Sequence, residues 1–423
     1  MFDLLMRRRF GPLFVTQFFG AFNDNFLKCA ILTLVTFKMA TDSASAAMYT
    51  NLALALFILP FFLFSALAGE INDKFDKARC CRVVKLIEIV LMILTAAAFW
   101  LGSIPLLLGL LFCMGAQSTF FGPAKYALLP QQLRDDELLT GNALIEGGTF
   151  LAILIGSIGG SIVLAFSGGL VYASATLVLL AAIGYGASRF IPVAPPLREG
   201  LKIHWNIPLE TVLIVKYAFA VPVLRHCILA LSAFWLAGSL YVSQLPGLCR
   251  DVLGADETVN TVFLTTFSIG IAIGSLGAAK ILKGKVSGSL AWIGVLGMLA
   301  FTVDLYFASR GRAVGGGELR NLIYFLNEVS FWRISFDLLA IAIAGGIFSV
   351  PLQAMMQHHS PSDGVGRVIA ANNITNSLFM AGGAAAVAFC VKCFSLVSAD
   401  VMLIIAAIHL ANTAYVIKIA KFR

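Results

Sequence analysis

A few charged and carboxamide side chains interrupt runs that are otherwise apolar, and any chemistry must reside in them. The first set lies in Gln17-Phe18-Phe19-Gly20-Ala21-Phe22-Asn23-Asp24-Asn25-Phe26-Leu27-Lys28, inside an apolar stretch from Phe10 to Phe37. If that stretch spans a bilayer, Asp24 falls near its middle, where an ionised side chain costs at least about 2.5–3.5 kcal/mol. On a helix, Gly20, Asp24 and Lys28 share one stripe, and Phe18, Phe22 and Phe26 form another. The polar stripe suits the wall of a substrate cavity, the default for intramembrane ions. The plainer alternative is an internal Asp24–Lys28 pair between packed helices. Lys125 and Glu146 are further ions in apolar surroundings. An ammonium at Lys125 can meet a phosphate, while Glu146 or Asp24 can meet an amine or hold Lys125 in place. A Lys125–Glu146 pair joining two helices is the competing reading. Lys125 follows Gly122-Pro123, so a locally broken helix with freed carbonyls is expected beside it. Glu88, Arg225 and Asp304 are isolated ions, Arg225 being placed to snorkel.

The elements that position these residues follow from composition. Of 423 residues, 59% are hydrophobic and 12% charged, with mean hydropathy +0.91; ordinary globular chains have about 45–50% and 25%. This is an all-α polytopic membrane protein. Runs long enough to cross a bilayer cover 10–37, 48–69, 83–101, 104–128, 140–165, 169–191, 217–245, 259–282, 288–308, 332–356, 367–391 and 396–419. The polar interruption with Pro195-Pro196, Arg198 and Lys202 divides them into a six-helix half (1–191), a central loop (192–216) and a second six-helix half (217–423). Trp205 to Val215 suits a short interfacial helix. Arg7-Arg8-Arg9 precedes a full-length run with no small-residue cleavage site, so a first spanning helix is expected in place of a cleaved signal.

Most of the 30 Lys and Arg fall in loops on one side, including Lys74, Lys77, Arg79, Arg82 and Lys85. That bias sets both termini in the cytoplasm and accounts for the formal charge of +8 without nucleic acid. The halves show weak internal similarity. Gly122-Pro123-Ala124-Lys125 corresponds to Val350-Pro351-Leu352-Gln353, and Asn142-Ala143-Leu144-Ile145-Glu146 to Asn372-Asn373-Ile374-Thr375-Asn376. Ordered similarity of this kind is expected of parallel repeats, with charge in the first half where the second has carboxamides. Gly156-Ser157-Ile158-Gly159-Gly160 and Gly270-Ile271-Ala272-Ile273-Gly274 read as close-packing faces. Cys390-Val-Lys-Cys393 has redox or metal spacing but no second pair, so packing is the better reading. His358 to Asp363 has an H-x-x-x-x-D spacing without a surrounding domain, best explained by chance. No cofactor, metal or soluble-type catalytic site is expected, and the chain is not expected to be an enzyme.

Gly69-Glu70-Ile71-Asn72-Asp73-Lys74-Phe75-Asp76-Lys77-Ala78-Arg79 resembles the major facilitator signature G-x-x-x-D-(R/K)-x-G-(R/K)-(R/K). Gly69, Asp73, Lys74 and Lys77 match it; Asp76 stands where the family usually has Gly, and Ala78 at the last basic position. The resemblance implies a gating loop whose charges pair with a neighbouring helix. The string Gln17 to Asn25, with Phe121-Gly122-Pro123-Ala124-Lys125-Tyr126-Ala127-Leu128-Leu129-Pro130 and Asn142 to Phe150, resembles bacterial lysophospholipid transporters of that superfamily. This similarity is concentrated in the first half. It implies the major facilitator fold and movement of lysophosphatidylethanolamine and related lysolipids from the outer to the inner leaflet of the inner membrane, for reacylation. Membrane lipids and a separate acyltransferase and acyl-carrier-protein ligase are the implied partners. Asp24, Asn25, Lys125 and Glu146 would meet the head group and phenylalanines such as Phe22 and Phe26 the tail, with Lys28, Tyr126 and Asn142 completing the substrate-binding set. The alternative is a proton-coupled exporter of drugs or another amphipathic molecule, with Asp24 or Glu146 carrying the proton.

Overall fold

The computed structural model describes residues 2–35, 43–196, 200–310 and 319–419. In hydrocarbon, backbone N–H and C=O groups must be paired within the protein, so single apolar runs of this length fold as helices. The first half contains α1 (Gly11–Leu34), α2 (Ser43–Lys74), α3 (Lys77–Leu101), α4 (Ile104–Gln132), α5 (Asp135–Ile162) and α6 (Gly169–Ser188). After the short α7 (Ile207–Phe219) come α8 (Pro222–Gly247), α9 (Glu257–Leu282) and α10 (Ala291–Ser309). Then follow the single turn α11 (Leu322–Phe325), α12 (Val329–His358), α13 (Val365–Phe394) and α14 (Ser398–Ile419).

Among the described residues, eleven helical segments are long and apolar enough to cross a membrane. α1 is not among them, since Gln17, Asn23, Asp24, Asn25 and Lys28 dilute it. Its 24 residues still rise about 36 Å, enough for the hydrocarbon core. Each expected span therefore has its helix, and the chain is a multi-pass membrane protein. α7 takes the place expected for an interfacial helix, starting two residues later than Trp205. One expectation fails: α4 runs unbroken through Pro123, and α12 likewise through Pro351. Neighbouring helices tolerate such prolines inside a bilayer: Pro123 cannot donate to the Thr119 carbonyl, but the helix stays continuous and Asn72 Nδ2 donates to the adjacent Phe120 carbonyl at 3.2 Å.

The helices form two compact units. One comprises 1–141, 151–220 and 359–377; the other comprises 142–150, 221–358 and 378–423. Short stretches of α5 and α13 thus group apart from the remainder of their helices. The first unit pairs α2 with α4, α3 with α6, α1 with α6 and α3 with α4. In the second, α9 pairs with α12, α10 with α14, α8 with α14 and α10 with α12. In span order these are the same pairings, which is what two copies of one six-helix plan would produce.

The glycine strings do pack closely. A Cβ on Gly156 would lie 2.5 Å from the Phe22 carbonyl oxygen, so α5 meets the α1 backbone directly. Gly270 plays the same part between α9 and α12, where a Cβ would come 2.6 Å from Ala342 Cβ.

Candidate functional site

α1 carries three polar residues in succession, and because helix neighbours point about 100° apart they reach different partners. Asn23 is fully buried and donates to Glu88 Oε1 of α3 and to the Leu177 carbonyl of α6, each at 3.1 Å. Asp24 turns towards α4, where Ser118 Oγ donates to its Oδ2 at 2.7 Å. Its Oδ1 is buried without a hydrogen-bond partner. Asn25 accepts from Lys28 Nζ at 2.8 Å, and that ammonium lies 5.5 Å from the Phe57 ring centre. Lys28 therefore bonds Asn25, and the direct Asp24–Lys28 pair does not form.

Beside this set lies a buried ion pair. Lys85 Nζ meets Glu88 Oε2 at 2.5 Å, with both side chains 1% exposed. Gln117 Nε2 donates to the same carboxylate oxygen at 3.0 Å, and the ammonium lies 4.8 Å from the Phe121 ring centre. Ser118 is also 3.1 Å from Gln117 Oε1; its one proton serves the stronger, charged acceptor, Asp24. Lys85 is thus a buried residue of α3 and not a loop charge, which corrects its place in the orientation count. The K-x-x-E spacing inside an apolar run was the available signal, since i and i+3 share a helix face.

The other expected residues are distributed over both units. Lys125 is half-buried on α4, its ammonium 4.6 Å from the Tyr126 ring centre. It follows Ser118 by seven residues, so the two share a face about 10 Å apart. Phe22 stacks on Phe26 with ring centres 5.9 Å apart. Phe26 is only 3% exposed and belongs to the core of the first unit, so its ring packs helices. Asn142 and Glu146 belong to the second unit. Asn142 exchanges hydrogen bonds of 2.6 and 3.1 Å with Gln357, and Ser349 donates to Glu146.

The signature loop is organised around Asp73. This buried carboxylate accepts from Gly366 N at 2.8 Å, Arg367 N at 3.2 Å and Arg367 Nε at 2.9 Å, capping the start of α13. Gly69 permits the approach, because a Cβ there would lie 2.7 Å from Ala370 Cβ. Arg367 also donates to the Asp363 carbonyl at 3.2 Å and lies 4.7 Å from the Tyr217 ring centre. Asp363, the end of the H-x-x-x-x-D string, thus supports this contact. Lys74 lies 5.6 Å from the Phe75 ring centre, and Lys77 is buried. Asp76, the departure from the signature, caps α3 by accepting from Arg79 N at 2.7 Å. Its second oxygen takes the Ala194 N–H at 2.9 Å, and Lys77 N donates to the Ala194 carbonyl at 3.0 Å.

Further along, His204 Nδ1 lies 3.1 Å from Glu70 Oε1 and 3.5 Å from Glu210 Oε1. The hydrogen bond to Glu70, helped by the Glu210 charge, raises the His204 pKa above the ordinary imidazole value. Burial, reinforced by the nearby Glu70 charge, raises that of Glu210. Neither Ser118, Arg367 nor this cluster was foreseen, because each depends on which helices meet.

Residues 13–384 match the profile of the Major Facilitator Superfamily. The chain belongs to that superfamily. Its transporter fold is also that of the human organic anion transporter MFSD10, with a TM-score of 0.75 at 14% identity over 97% of this chain and 99% of that one. FucP in its outward conformation matches with a TM-score of 0.68 at 13% identity, covering 97% and 99%. Among sequences, the protein named lysophospholipid transporter LplT from Photorhabdus laumondii is 29% identical over 385 residues, 89% of this chain and 87% of its own length. The protein of the same name from Enterobacter sp. (strain 638) is 28% identical, covering 88% and 86%. The resemblance to lysophospholipid transporters therefore runs well past the central loop and is not confined to the first half. As a superfamily member the chain is a membrane transporter and not an enzyme.

Proposed function

We propose that this protein is a lysophospholipid transporter that moves lysophosphatidylethanolamine and related lysolipids from the outer to the inner leaflet of a bacterial inner membrane. Both termini lie in the cytoplasm, transport proceeds by alternating access, and an acyltransferase and acyl-carrier-protein ligase reacylate the product. The observation that carries the reading is the likeness, over nearly the whole chain, to proteins bearing that name. The residues agree with it. A lysolipid head offers an ammonium and a phosphate, and the first unit holds a carboxylate with one unpartnered oxygen, Asp24, and an ammonium, Lys125. In this assignment they contact the head together with Asn25 and Glu146, and Lys28, Tyr126 and Asn142 complete the substrate-binding set. Phe22 lies along the tail, with Phe26 supporting it from the core. Gly69, Asp73, Lys74 and Lys77 form the gate, with Asp73 acting on α13 through Arg367.

The test is reconstitution into vesicles with labelled lysophosphatidylethanolamine on one leaflet. Movement of label to the other leaflet, faster than in protein-free vesicles, is expected. No movement of the lipid by protein that transports an unrelated amphipathic solute would overturn the reading in favour of an exporter.

A further inference from the structure

The first unit holds a second polar cluster, built by three elements. Glu70 lies near the end of α2, His204 in the segment leading into α7, and Glu210 in the first turn of α7. Besides the two imidazole contacts, the His204 backbone N–H donates to Glu70 Oε2 at 3.0 Å, and Asn206 caps α7 by accepting from Leu209 N at 3.3 Å. One ligand atom from each residue lies within 4.8 Å of the other two. Both carboxylates are buried, whereas the imidazole side chain is 58% exposed and open to solvent. Two buried carboxylates facing one imidazole bring two oxygen donors and one nitrogen donor together. Lys202 is the other charged group bearing on the ring.

We propose that Glu70, His204 and Glu210 bind a divalent transition-metal ion of the zinc class. Zinc bonds to nitrogen and oxygen of about 2.0–2.2 Å place tetrahedral ligands about 3.3–3.6 Å apart. The separations of 3.1 and 3.5 Å around Nδ1 lie close to that spacing. One imidazole nitrogen and two carboxylates are a three-ligand set that leaves the fourth position to water. Calcium and magnesium favour six or more oxygens and are poorly served by it. A bound ion fastens α7 and the segment before it to α2, next to Gly69 and one turn before Asp73. The site is independent of the lysolipid reading.

The test uses the full-length protein, purified in detergent and stripped with chelator. Zn²⁺ alone is titrated by calorimetry, and Co²⁺ alone by visible absorption. Saturable binding of one Zn²⁺ is expected, with cobalt bands of tetrahedral intensity and no displacement by Mg²⁺. His204→Ala and Glu210→Gln should each weaken binding at least about tenfold, and the second guards against a folding defect in the first. A double variant of two histidines outside the cluster, His358→Ala with His359→Ala, should bind normally. Equal binding by wild type and His204→Ala, loss only in the His358/His359 variant, or equal competition by Mg²⁺ would each overturn the proposal.

Discussion

The Lys85 ammonium occupies the space that a side chain at Gly20 would need. A Cβ on Gly20 would come nearer to Nζ than 3.0 Å, a separation that real Cβ atoms essentially never show. α1 therefore carries glycine where α3 delivers a buried cation. That cation is held by Glu88, whose carboxylate also takes bonds from Gln117 and Asn23. A buried pair persists only when its geometry is good and its remaining lone pairs are satisfied, and this one meets both conditions.

Gly20→Ala should push the ammonium off Glu88 and destabilise the protein by about 1–3 kcal/mol, as overpacking does. Lys85→Met should cost about 3–5 kcal/mol, because it leaves Glu88 buried and unpaired. Once the ammonium is gone, the alanine has less to displace, so the double variant should lose less than the sum. A coupling of about 0.5–3 kcal/mol is expected from thermal or denaturant unfolding in detergent. Additive losses would mean that the glycine and the lysine do not share the space.

Asp24 and Ser118 make a different claim, about transport. Asp24→Asn should abolish lysolipid movement in vesicles while the protein still inserts, because the neutral carboxamide cannot hold an ammonium as a carboxylate does. Ser118→Ala keeps the charge and removes one bond at 2.7 Å. It should therefore slow transport without abolishing it. Equal rates in wild type and Asp24→Asn would reduce Asp24 to a packing residue.

The spans were legible because an apolar run of about 20 residues in a bilayer has one outcome, and every expected run has its helix. Gly69 and Asp73 were legible because their spacing is a signature. The partners were not. Arg367 is far from Asp73 in the chain, and only the packing of α13 against α2 joins them. Lys85 looked like one more loop cation because it follows Arg79 and Arg82, yet α3 begins at Lys77 and carries it inside. Pro123 suggested a break, but helical neighbours supply what a lone helix lacks. Residues at helix crossings depend on pairing, and periodicity in one segment carries no record of its partner.

The Asp73–Arg367 contact predicts a gating defect. Asp73 is the common acceptor for two backbone N–H groups and the guanidinium. Asp73→Asn keeps its shape but loses the charge that favours a helix N-terminus and the arginine. Arg367→Ala removes only the side-chain arm. Transport should fall in both, and further in Asp73→Asn, with insertion intact. A thiol introduced at Ala370 should also label faster in the Asp73→Asn background. Unchanged labelling would show that Asp73 does not hold α13 against α2.

Asp76 makes the last prediction, because one side chain does two separable jobs. One oxygen caps α3 through Arg79 N, and the other holds the central loop through Ala194 N. Asparagine can keep the cap with its single carbonyl oxygen, but its amide nitrogen cannot accept the Ala194 N–H. Glycine loses both contacts, although as a cap it costs only a few tenths of a kcal/mol (~0.3) relative to Asp. Asp76→Asn and Asp76→Gly should therefore retain near-wild-type unfolding temperatures, while a protease cuts the loop around Ala194 several-fold faster in both. Cleavage of Asp76→Asn at the wild-type rate would show that the loop is held by Lys77 N and the Ala194 carbonyl alone.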